Sequence, residues 1–147
     1  MYGGGASNYQ RQVTKSPSSV ATGTLFTYTG SIMIVSATGF IPATGLDGTS
    51  TLRLGIVADA LAEVFMCAAS ANTQWEVGTL FTISGTAADA LAATTTIPAA
   101  IAQVTSWVAS CTTSGIIRLT AGTARAGVIK WDVVWIPLST GATLVAA

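Results

Sequence analysis

Six carboxylates, six cations and two cysteines are the main reactive groups of this 147-residue chain, and histidine is absent. Without an imidazole, the commonest general base and metal ligand is missing, and neither a Ser-His-Asp nor a Cys-His nucleophile can be assembled. Carboxylates are the remaining route: Asp59 and Glu63 lie four apart and would share a face if residues 57–63 were helical, whereas Asp47, Glu76, Asp89 and Asp132 are scattered. A glycosidase needs two carboxyls set across a sugar cleft, and no spacing here indicates such a pair. Cys67 and Cys111 stand 44 positions apart, without the spacing of a zinc site, and read as reduced core thiols of a protein made in a cytosol. Gly122-Thr-Ala-Arg-Ala-Gly127 begins like a phosphate loop, but Val128 stands where that motif requires lysine, so it reads as a turn feeding the next strand. The expectation is a non-enzyme with no catalytic residue, no cofactor and no metal.

Four tryptophans invite a sugar-stacking reading. Trp131 and Trp135 alternate with Ile129 and Val133, however, and core packing explains them better. Trp75 lies between Gln74 and Glu76, and Trp107 between Ser106 and Val108. Both fit rim contacts at an interface, where tryptophan is enriched.

The elements that must position these residues read as short β-strands. Val128–Ile136 alternates apolar Ile129, Trp131, Val133 and Trp135 on one face with Lys130 and Asp132, which can partly neutralise each other, on the other. Pro137, with no N–H to donate, ends that ladder. Further strands are expected at residues 24–28, 31–37, 51–57, 63–68, 79–84, 104–109 and 115–120, separated by Gly-, Asp- and Ser-rich turns. About eight antiparallel strands in residues 20–147 is the density of an all-β sandwich or jelly roll. Ala87–Ala93 is a short helix former by propensity, and residues 101–108 fit either a helix or a strand. Gly23-Thr-Leu-Phe-Thr-Tyr-Thr-Gly30 recurs as Gly78-Thr-Leu-Phe-Thr-Ile-Ser-Gly85, and Ala-Asp-Ala-Leu-Ala occurs at 58–62 and 88–92. Their offsets, 55 and 30, differ and define no repeat array.

Composition points to assembly. A 14.8 kDa domain exposes roughly 7,000 Å², and 12 charges cover that thinly, beside 23 Thr, 25 Ala and 15 Gly. The zero formal net charge and a pI near 6.0 remove the electrostatic attraction that dominates nucleic-acid binding. The uncharged stretch Ser16–Leu46 is broken by Thr, Ser, Gly and Pro, so no transmembrane helix is expected. An outer-membrane barrel is disfavoured because residues 1–10 do not resemble an export signal.

Residues 1–19 show no hydrophobic period and contain Gly3, Gly4 and Gly5. Such a segment cannot bury enough apolar area alone, and is expected to act as an extended arm lying across another subunit. Arg11 and Lys15 are the only charges before Asp47.

Taken together, Gly23-Thr-Leu-Phe-Thr, Thr51-Leu-Arg-Leu-Gly-Ile-Val57 running into Ala-Asp-Ala-Leu-Ala, and Gly127-Val-Ile-Lys-Trp-Asp-Val-Val-Trp-Ile-Pro-Leu-Ser139 resemble the small virion proteins of tailed bacteriophages. The closest likeness is to head decoration, or cement, proteins. That resemblance covers about residues 20–147 and implies a β-sandwich, often trimeric, on the capsid exterior, bridging major capsid proteins. It brings no catalytic residues. The candidate assembly contacts are Tyr2, Tyr9, Arg11, Lys15, Trp75 and Trp107, with the tyrosines anchoring the arm and the two cations meeting acidic groups on the capsid. A tail, neck or head-fibre subunit is the alternative, and a carbohydrate-binding sandwich the second alternative.

Overall fold

The computed structural model describes residues 10–84, 86–94 and 106–147. These residues form eleven strands: β1 (Arg11–Lys15), β2 (Gly23–Thr29), β3 (Ser31–Phe40), β4 (Leu52–Ala58), β5 (Val64–Phe65), β6 (Leu80–Thr82), β7 (Ala92–Thr94), β8 (Trp107–Ser110), β9 (Gly115–Ala121), β10 (Lys130–Pro137) and β11 (Thr143–Ala146). All the strand pairings are antiparallel. β1 pairs with β10, β2 with β9, β3 with β6 and β4 with β5, so the partners nest like the two arms of one long hairpin. Pairing of β3 with β10 and of β4 with β9 folds those arms into two sheets. The six-stranded sheet runs β1-β10-β3-β6-β7 with β8 also on β3, and the five-stranded sheet runs β11-β2-β9-β4-β5.

The sheets pack as a sandwich around one apolar core drawn from both. β10 shows why: Trp131, Val133 and Trp135 are buried while Asp132, Val134 and Ile136 between them are half-buried, the period-two pattern of a strand with one face on the core. Two irregularities keep this pattern in register. A shift between Thr24 and Phe26 lets neighbouring Leu25 and Phe26 both be buried, and one opposite Val134/Trp135 leaves Val35 and Ser36 of β3 both half-buried. Trp75 meets Phe81 edge-on at 5.3 Å, and Phe81 lies 6.1 Å from Trp131, so three rings fill the middle.

Several sequence expectations are corrected. The described residues alone form eleven strands, not about eight. Ala87–Ala93 is no helix: it turns at 87–88 and enters β7, because Leu91 is buried and donates its N–H to Ala68. Cross-strand pairing there outweighs alanine's helix propensity. The 63–68 strand shrinks to Val64–Phe65. Of 101–108, the end is strand β8, while 101–105 lie outside the described residues. Residues 57–63 are strand and turn, so Asp59 and Glu63 share no helical face. Asp132 accepts from Gln12 at 2.7 Å and Thr14 at 2.8 Å instead of pairing with Lys130.

Candidate interaction surface

β8 pairs only at the Ser31–Ile34 end of β3, and it faces β4 of the other sheet at the molecule's edge. A cavity of about 220 Å³ opens at that seam. Its lining is largely apolar: Ile56 and Ala58 from β4, Leu61 from the connection into β5, Val64 at the start of β5, and Trp107 and Val108 from β8. Leu61, Val64 and Val108 are each at least 60% exposed, so the rim presents aliphatic carbon to solvent. Tyr28 contributes a fully buried ring. Among the described residues, its hydroxyl and the indole N–H of Trp107 are buried without hydrogen-bond partners.

Tyr28 is held there by a glycine. Gly115 is its cross-strand partner on β9, and a Cβ at that position would run into the phenol ring. Burial, then the negative charges that Cys111 and Asp59 can carry, push the Tyr28 phenol up to about 12. Next to it, Asp59 ends β4 with φ of 49°, a left-handed conformation that aspartate tolerates better than most residues. Its carboxylate accepts from the Thr112 and Thr113 N–H groups, both at 2.7 Å, the Thr112 hydroxyl at 3.0 Å and Ser114 N–H at 3.3 Å. These backbone bonds, led by those from Thr112 and Thr113, hold the carboxyl below its ordinary value. Asp59 thus ties the β4–β5 connection to the β8–β9 connection, bracing both walls of the cavity.

Outside the cavity, Val108, Met33 and Ile136 are successive cross-strand partners on β8, β3 and β10. Met33, Ile136 and the adjacent Val134 are half-buried, and Val108 is exposed. This row makes an uncharged apolar strip on the outer side of the six-stranded sheet, continuous with the cavity rim at Val108. Lys130 and Asp132 lie towards the other end of β10.

The expected contact residues fall in different places. Tyr2 and Tyr9 lie outside the described residues. Arg11 and Lys15 stand on β1, opposite Trp135 and Trp131 of β10. The Arg11 guanidinium lies 5.4 Å from the Trp135 ring, and the Lys15 ammonium donates to the main-chain oxygen of Ala147. Both cations are therefore engaged within their own chain. Trp75 is 5% exposed and belongs to the core, with its polar neighbours Gln74 and Glu76 pointing out. Of the four described candidates, Trp107 alone lines the cavity. Trp131 and Trp135 are buried, as their alternation indicated. Cys67 and Cys111 are buried free thiols, and burial pushes both thiol values up. Residues 122–127 form the turn between β9 and β10, with Arg125 donating to Thr49. The described residues hold no cluster of three metal-ligating acidic or cysteine side chains, and no helix among them is long and apolar enough to cross a membrane.

No protein-family model, curated protein or solved structure matches this chain. Tyr28, Leu61 and Met33 carried no sign of this site in the sequence, and Asp59 drew notice only for its spacing from Glu63.

Proposed function

We propose that this chain is a non-enzymatic structural subunit of a tailed-phage virion, a decoration protein that forms a trimer and cements major capsid proteins from outside the head. The observation that carries this reading is the uncharged strip of Val108, Met33 and Ile136 running into an open apolar rim. A chain with 12 charges in 147 residues is poorly suited to leave such a surface in water. Strand order supports the same reading. Taking β1 to β6, β9 and β10 as eight strands, the orders 1-10-3-6 and 2-9-4-5 are those of a jelly roll, an architecture used in viral capsid domains. That support is analogy at the level of the fold. Lectins use the same architecture; Trp75, Trp131 and Trp135 are at most 5% exposed, which leaves Trp107 as the one tryptophan on which a sugar could stack.

The test is a heat challenge of empty heads of the same phage. Heads with added protein are expected to break at a higher temperature than bare heads, and the Ile136→Asp chain to lose that effect while keeping its near-ultraviolet circular dichroism. Equal breakage with and without the protein would remove the cement role, and binding to tails in place of heads would favour the tail reading.

A further inference from the structure

We infer that the cavity between β8 and the β4–β5 connection is the seat for residues 1–9 of a second copy of this chain, with the ring of Tyr2 or Tyr9 inside it. Among the described residues, none closes the mouth of the cavity. Its volume of about 220 Å³ opens at an aliphatic rim of Leu61, Val64 and Val108. An apolar cavity of roughly 150 Å³ already takes a benzene ring, so there is room for a phenol. The mainly aliphatic lining suits an apolar ring, and residues 1–9 offer two, on Tyr2 and Tyr9.

Register places the two partners at one level of the sandwich. Arg11 is opposite Trp135, Trp135 opposite Ile34, and Ile34 opposite Trp107. The point where residues 1–9 join β1 and the cavity therefore lie in one transverse row, about 14 Å apart across three strand spacings. They sit on opposite edges. The row runs β1, β10, β3, β8, so a segment from the same chain would have to cross three strands to enter. A neighbour whose β1 edge meets the β8 edge reaches the opening directly, since nine extended residues span about 30 Å. Contacts of this head-to-tail kind close into rings when the rotation allows.

The inference rests on the oligomeric part of the function proposed above and not on the location of the protein. Full-length chain carrying p-benzoylphenylalanine at position 2 or 9 would be mixed with isotope-labelled copies, illuminated and analysed by mass spectrometry. The expected result is cross-links between copies to residues 56–64 or 107–110, abolished by Leu61→Asp in a chain whose near-ultraviolet circular dichroism is retained. Cross-links confined to one copy, cross-links elsewhere, or none overturn the assignment. A ring without these cross-links overturns this inference alone, whereas a monomer by sedimentation equilibrium overturns the proposed trimer with it.

Discussion

Across β2 and β9, Tyr28 lies on Gly115; across β10 and β3, Trp131 lies on Gly39, whose Cβ would come within 2.9 Å of the indole. In both pairs a large ring covers the space beside a residue with no side chain, so the sheets stay close-packed. Gly115→Ala is therefore expected to cost about 1–3 kcal/mol by overpacking, measured by urea unfolding. Gly23→Ala, where a Cβ meets nothing within 4 Å, is the control and should stay within about 0.5 kcal/mol. Tyr28 also makes an alkaline prediction. A phenol ionising ordinarily at 10.0 but at about 12 here loses its proton first in the unfolded chain, so stability falls as pH rises from 10 towards 12. Ultraviolet absorbance of the folded protein should show one tyrosine titrating late, absent in Tyr28→Phe. Asp59 acts at the other end of the scale. Its folded value lies below 3.8, so its contribution is complete above 3.8 and is lost as pH falls through the lower folded value. Asp59→Asn should lower the melting temperature at neutral pH and flatten its decline in acid.

β1 explains at the element scale why positive charge sits where it does. Its Arg11, Val13 and Lys15 share the face opposite Trp135, Val133 and Trp131, at an edge with no further strand among the described residues. Charged side chains turned inward at an edge discourage another strand from adding there, while their stems cover the core. Replacing Arg11 and Lys15 together with valine should raise light scattering on concentration and leave the circular dichroism unchanged. The same strand shows what a sequence conceals. Strands with a core-facing row of Leu, Ile, Phe or Trp were legible because burial imposes a period of two. β1, β7 and β11 were not, since their burial is sparse and they form mainly because a neighbour offers free backbone groups. The cavity was legible only through Trp107. Its other walls come from β2, β4 and the turn after it, and only strand pairing brings these together. Trp75 misled because exposed neighbours say which way they point, not where the residue between them goes.

In the whole molecule, the features that stand out are an apolar strip, an open cavity and a charge-poor composition. All three favour contact with other protein. On the proposed decoration role, sedimentation equilibrium should give a mass near three times 14.8 kDa. The most direct measurement is an image of heads of the same phage, carrying this protein, at a resolution that traces strands. Sandwiches should lie on the outer surface across the contacts between capsid subunits, with β8 and β10 turned towards a neighbouring protein. A bare outer surface, with the protein found in the tail, would contradict it.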